Sequence, residues 1–178
     1  SLSFEEAAAA TWAFAALQGM RDVGGVRPGQ KVLVNGASGG VGTWAVQIAK
    51  ALGAEVTGVC STRNVEMVRG LGADHVIDYT REDFVAGGAR FDVFFDTVGN
   101  RSIAECRSVV VPEGRFVSAS GGDSSLRFIG RALAMMVASW FTKQKLLMLM
   151  TKPNRDDLLV LTELVEGGKA RPAIEKSY

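Results

Sequence analysis

An apolar run, Lys31-Val-Leu-Val-Asn35, breaks into Gly36-Ala-Ser-Gly-Gly-Val-Gly42, and apolar residues then return at helical spacing from Trp44 to Leu52, stopping at Gly53. A short buried strand that enters a helix through so many glycines leaves few folds open. The alternation repeats downstream. Glu55 to Cys60 reads as a strand, Val65 to Leu71 as a helix and Asp74 to Asp78 as a strand. Thr80 to Ala86 reads as a short helix capped by Thr80, Phe91 to Thr97 as a strand, Ile103 to Val110 as a helix and Arg115 to Ala119 as a strand. Upstream, Ser3 and Glu6 have capping-box spacing for a helix that runs through Ala7 to Met20 and ends near Gly24-Gly25, before a Pro28-Gly29 turn. Strands apolar on both faces and separated by helices predict an α/β fold: a doubly wound, Rossmann-type parallel sheet with helices on both faces.

The stretch from Leu126 to Met150 is rich in Met, Leu, Ala and aromatics, punctuated by Arg127, Arg131, Lys143 and Lys145. It reads as a core-packing helix followed by an edge strand, Leu146 to Met150; the alternative is a partner or membrane surface. An apolar sheet edge must be covered, so the edge strand is expected to pair across a homodimer. Asn154 caps a last amphipathic helix, Asp156 to Val165, closed by Gly167-Gly168.

Composition narrows the function. The chain has 178 residues with 20 Lys and Arg against 19 Asp and Glu, so it has no basic footprint for nucleic acid. A single histidine, His75, argues against a His-rich metal site, and it reads as a turn or sheet-edge residue. Cys60 and Cys106, far apart, suit a reducing compartment and read as packing residues rather than a disulfide or a nucleophile. The longest apolar stretch, Ala132 to Phe141, is too short to span a bilayer, and no signal peptide opens the chain, which points to the cytoplasm. The chain starts at Ser1 and stops at Tyr178, which suggests a piece of a longer protein.

The glycine loop has its own chemistry. A dinucleotide pyrophosphate is held by the N–H groups and the dipole at a helix N-terminus, where a Cβ would obstruct the approach. In the G-x-G-x-x-G register the loop reads Ala37, Gly39, Gly42, with Ala at the first position. The strand–loop–helix context favours nucleotide binding over a turn that only packs helix on strand. After the second strand comes Cys60-Ser-Thr-Arg-Asn64, without the acid that would bond an NAD ribose 2′-hydroxyl. Ser61 and Thr62 can donate to a 2′-phosphate and Arg63 can pair with it, so NADP(H) is favoured over NAD(H). Asp96, ending a strand, reads as the cap of the following turn.

These residues resemble the medium-chain dehydrogenase/reductase superfamily, in its zinc-independent, quinone oxidoreductase-like branch. The likeness is carried by Val26 to Gly42, Gln47 to Ala54, Leu71 to Tyr79, Phe91 to Gly99 and Lys152 to Leu158. It implies that residues 1–178 form a single NADP(H)-binding domain of a two-domain reductase, the catalytic domain lying outside this chain and Ala173 to Tyr178 leading back into it. By that resemblance Ser38, Gly39, Gly40 and Val41 hold the pyrophosphate, while Ser61, Arg63 and Tyr79 surround the 2′-phosphate. Val98 and Gly99 line the cofactor groove, with Ala119 and Ser120 nearer the nicotinamide. The resemblance implies hydride transfer from NADPH to a small-molecule quinone or α,β-unsaturated carbonyl compound, with no catalytic residue in this chain. Three positions depart from the branch. Val65 stands where it often has a Lys that reaches the 2′-phosphate, leaving that charge to Arg63. Ala13-Phe14-Ala15 replaces a run that carries a Thr near the nicotinamide. The first helix lacks the Cys ligand of zinc-dependent relatives, which fits a zinc-free protein. A non-catalytic NADP(H)-binding interaction module is the alternative reading, since fold alone does not fix function.

Overall fold

A computed structural model describes residues 12–120 and 125–173. The expected capping box at Ser3 and the start of the first helix lie outside these residues, as does most of the stretch from Ala173 to Tyr178. The first helix, α1, is described over 12–17 and continues as a π-helical segment, Gln18–Val23, ending at Gly24 as expected. Six strands follow: β1 Lys31–Asn35, β2 Glu55–Cys60, β3 His75–Asp78, β4 Phe91–Asp96, β5 Val110–Ser118 and β6 Lys145–Met148. The helices between and after them are α2 Gly40–Ala51, α3 Val65–Gly70, α4 Ile103–Ser108, α5 Ser125–Ser139 and α6 Arg155–Glu166.

All five strand pairings are parallel, in the order β3-β2-β1-β4-β5-β6. The order reverses between β1 and β4. A doubly wound sheet binds its ligand at such a switch point, beyond the carboxyl ends of the strands. Both faces are covered, as the apolar strands require. Val32, Val34, Val56, Val93, Phe95 and Val117 face one core layer with α1, α2, α3 and α6. The alternate residues Leu33, Val59, Phe94 and Phe116 face the other, with Phe84, α4 and α5. Phe94 is in edge contact with Phe84 at 5.7 Å and tilted contact with Phe116 at 5.2 Å.

Expectations fail at four places. Among residues 129–139 of α5 only Met135 is buried, and Leu133, Met136 and Val137 are exposed, so α5 is not the core-packing helix expected. The edge strand ends at Met148 rather than Met150. Residues 80–86 form turns rather than a helix. The Thr80 hydroxyl is not free to cap one, because it bonds Asp78 Oδ1 at 2.8 Å and meets the Thr62 hydroxyl at 2.9 Å. The Asp78 carbonyl instead closes the turn, accepting from the N–H groups of Arg81 and Glu82. The remaining failure is at α4, which stops at Ser108. Val109 and Val110 are buried, and Val110 already pairs with Phe91 in β5. The start of α4 has a capping box between Ser102 and Glu105, a spacing legible in the sequence but not used there.

Candidate functional site

The register places the strand ends in a row, Asp78 beside Cys60, and Asn35 beside Asp96, which lies beside Ser118. Every candidate residue follows one of these ends, so the sheet gathers the candidates on a single rim. Ser38, Gly39, Gly40 and Val41 form the turn after β1 and the first turn of α2. Ser61 and Arg63 follow β2, and Tyr79 follows β3. Val98 and Gly99 follow β4, and Ala119 and Ser120 follow β5.

The glycine loop is built by close approach. Gly36 has φ +84° and lies against the β4 turn, where a Cβ would overlap the Thr97 hydroxyl and come within 2.8 Å of a Val98 methyl. A Cβ on Gly42 would overlap the Gly36 carbonyl oxygen and come within 2.9 Å of Ala37 Cα. The helix can sit this near the strand end only without that atom. Gly39 is the N-cap of α2 and caps it with no side chain. The first intrahelical bond goes from Thr43 N–H to the Gly39 carbonyl, so the N–H groups of Gly40, Val41 and Gly42 have no partner within the helix. They open beside the switch point, and Gly39 and Gly40 are exposed there. This cradle of missing Cβ atoms and open donors suits a pyrophosphate.

The end of β2 differs from its sequence reading. No acid stands between Cys60 and Asn64, but pairing with β3 sets the Asp78 carboxylate beside Cys60, buried and with both oxygens already engaged by Thr62 and Thr80. Thr62 donates its hydroxyl proton to Asp78 Oδ2 at 2.5 Å, so that proton is not free for a phosphate. The Thr62 bond leads the contacts that hold the Asp78 carboxyl below the usual carboxylate range, with bonds from Thr80 and the Arg81 charge adding to it. Burial pushes the neighbouring Cys60 thiol up, and the Asp78 charge adds to that, as befits a packing residue. Arg63 is exposed and makes no ion pair among the described residues. Tyr79 is exposed beside it in the chain fold, on the neighbouring strand end.

The centre of the rim holds a buried polar network that sequence reading only half recognised. Asp96 is fully buried, and its Oδ1 accepts from the N–H groups of Val98 (3.1 Å) and Gly99 (3.0 Å), the expected turn cap. The same oxygen accepts from Asn35 Nδ2 at 2.9 Å, and Oδ2 pairs with Arg131 Nη2 at 2.8 Å. In the sequence Arg131 is one of several basic residues between Leu126 and Met150, and no spacing rule links positions 35 residues apart. Trp12 was also missed. Its exposed ring lies over Gly40, where a Cβ would come within 3.1 Å of Trp12 Cδ1.

Other candidates fall away from the rim. His75 begins edge strand β3 and meets Glu55 at 3.2 Å, at the opposite end of the sheet. Cys106 is buried in α4, where burial, and then the Asp96 charge, push its thiol up to about 12. Among the described residues no group of three His, Cys, Asp or Glu side chains is placed to hold a metal, and no helix is long and apolar enough to cross a membrane.

Comparison with known proteins agrees with this architecture. A family model described as zinc-binding dehydrogenase matches residues 71–178. The mitochondrial NAD(P)H oxidoreductase RTN4IP1 of Mus musculus is 33% identical over 210 residues, which take in all of this chain and 50% of the relative. The chloroplast envelope quinone oxidoreductase homolog of Arabidopsis thaliana is 29% identical over 184 residues, 98% of this chain and 54% of the relative. Among solved structures, the quinone oxidoreductase from Coxiella burnetii superposes with a TM-score of 0.81 at 31% identity, over 98% of this chain and 53% of that one. The chain thus spans about half the length of these relatives.

Proposed function

We propose that this chain, which belongs to the medium-chain dehydrogenase/reductase superfamily as a quinone oxidoreductase-like member, is the NADP(H)-binding domain of a zinc-independent reductase. The observation that carries the reading is the cradle at the β1–α2 turn. Gly36 and Gly42 let the backbone close up, and the N–H groups of Gly40, Val41 and Gly42 face the rim. In the proposed mode Ser38, Gly39, Gly40 and Val41 hold the pyrophosphate, and the helix dipole offsets its charge. Arg63 pairs with the 2′-phosphate, with Ser61 and Tyr79 as its polar neighbours. Val98 and Gly99 line the cofactor groove, with Ala119 and Ser120 nearer the nicotinamide.

When bound, the cofactor supplies the hydride, and the protein's task is to orient it and exclude water. The substrate class that best fits is a quinone or an α,β-unsaturated carbonyl compound. The printed names of relatives, a quinone oxidoreductase homolog and a 2-methylene-furan-3-one reductase, support this choice. Residues that act on the substrate would belong to the second domain, in keeping with the chain's share of its relatives' length. The buried free thiols Cys60 and Cys106 suit a reducing compartment such as the cytoplasm.

Titration calorimetry with NADPH and then NADH tests the reading. We expect NADPH to bind more tightly, with the preference largely lost in Arg63→Ala while NADH affinity holds. Equal affinities for the two would place Arg63 outside the site, and binding of neither would reduce the glycine loop to a structural turn.

A further inference from the structure

Arg131 reaches from α5 over the ends of β4 and β5 and makes three different hydrogen bonds with one planar group. Its Nη2 donates to Asp96 Oδ2 at 2.8 Å, its Nε to the Ser118 hydroxyl at 3.2 Å and its Nη1 to the Arg101 carbonyl at 3.1 Å. The guanidinium carbon lies 5.6 Å from the centre of the Phe116 ring, which closes one face of the group. Each contact leads to a loop of the rim. Through Asp96, which accepts from the Val98 and Gly99 N–H groups, the cation holds the turn after β4 at its start. Through the Arg101 carbonyl it holds the same turn at its end. Through Ser118, whose hydroxyl meets that of Ser120 at 3.2 Å, it holds the segment after β5.

We propose that Arg131 is a positioning residue that fixes the Val98–Gly99 turn against the Ala119–Ser120 segment, where a Cβ on Gly99 would come within 2.6 Å of the Ser120 hydroxyl oxygen, and thereby governs binding of the nicotinamide half of the dinucleotide but not its adenine half. The proposal rests on the NADP(H) reading above. Asp96 is fully buried and Arg131 only 16% exposed, so loss of the cation would leave a buried carboxylate without its counter-charge. Lys would keep the charge beside Asp96 but lacks the planar fork needed to reach Ser118 and Arg101 at once. An ordinary core ion pair would affect both halves of the ligand through overall stability. The staple, in contrast, acts only on the β4 and β5 loops, and the adenine half lies over β2 and β3.

The test is calorimetric titration of the intact protein with NADPH and with adenosine 2′,5′-bisphosphate, which carries the adenine half alone, alongside thermal unfolding. In Arg131→Lys we expect NADPH affinity to fall about tenfold, the scale of one or two lost charge-assisted hydrogen bonds. Bisphosphate affinity should stay within about twofold, a change near the noise of a single exposed contact. Arg131→Met, which also removes the only cation paired with Asp96 among the described residues, should lose more NADPH affinity and some thermal stability; if it does not fold, the Lys variant decides. Equal loss of both ligands in a folded Lys variant, or unchanged NADPH affinity, overturns the proposal. Wild-type protein that binds neither ligand overturns the cofactor reading itself, and the two failures are thereby distinguished.

Discussion

Gly39 and Gly42 stand three residues apart in one loop, yet the structure gives them different work. A Cβ on Gly42 would overlap the Gly36 carbonyl, so Gly42→Ala must push α2 off the end of β1. We expect it to cost about 1–3 kcal/mol, the usual scale for overpacking, read as a lower Tm. A Cβ on Gly39 would meet only the Gly36 carbonyl oxygen at 3.4 Å, a contact that needs little movement. Gly39→Ala should therefore cost no more than about 1 kcal/mol, the scale of a weakened N-cap, while weakening NADPH binding if the pyrophosphate lies on this loop as proposed. If Gly39→Ala binds NADPH as the wild type does, the pyrophosphate does not lie on this loop. The glycine pattern was legible in the sequence, but which glycine the packing requires and which it leaves open depends on distances to Gly36. Thr62 teaches the same lesson. Its residue type suits a phosphate, and its hydroxyl proton is already taken by Asp78.

Between elements, a polar lock ties α1 to α6. Gln18 Nε2 donates to Asp157 Oδ2 at 2.6 Å, Arg21 Nη2 to Oδ1 at 2.5 Å, and Asn154 Nδ2 to Oδ2 at 2.8 Å. Burial alone would raise the Asp157 carboxyl, but the bonds from Gln18 and Arg21, the Arg21 charge and Asn154 together hold it below the ordinary carboxylate value. A carboxyl lowered in the folded state contributes stability that is complete above its unfolded value, near pH 4, and is lost as pH falls through the folded one. Asp157→Asn should thus cost about 1–3 kcal/mol at neutral pH, and the difference from wild type should shrink on acidification. Urea unfolding at a series of pH values checks both parts; a gap that is independent of pH would remove the charge from the lock. The sequence announced the Asn154 cap, three residues from Asp157, whereas Gln18 lies 139 residues away. The misread helix at residues 80–86 has the same cause, since its supposed cap was engaged across the β2–β3 pair.

At the scale of the whole molecule, the sheet has one edge that invites a partner. β6 is an outer strand, as expected though ending at Met148, and no strand among the described residues pairs with its far side. Next to it α5 and the turn after it expose Leu133, Val137, Trp140 and Phe141, the last two at 75% and 79%. Apolar surface of this kind beside an open edge favours the homodimer expected through Leu146 to Met150. Sedimentation velocity should give a dimer at micromolar concentration, and a monomer at all concentrations would set that expectation aside.

The sequence by itself determined the alternation of strand and helix, the doubly wound class and the place of the glycine turn. Each of these is written within ten or so consecutive residues, as an apolar period, a cap or a run without Cβ atoms. Only the tertiary structure decided what stands beside that turn. It brought the Asp78 carboxylate to the end of β2, laid Trp12 over Gly40 and drew Arg131 onto Asp96. Parallel strands pair residues whose separation is set by the crossovers between them, and no local pattern encodes which side chains then meet. The strongest example is the buried carboxylate of Asp96. Its position at a strand end was plain from the chain, but the cation that allows its charge to remain buried comes from a helix 35 residues on.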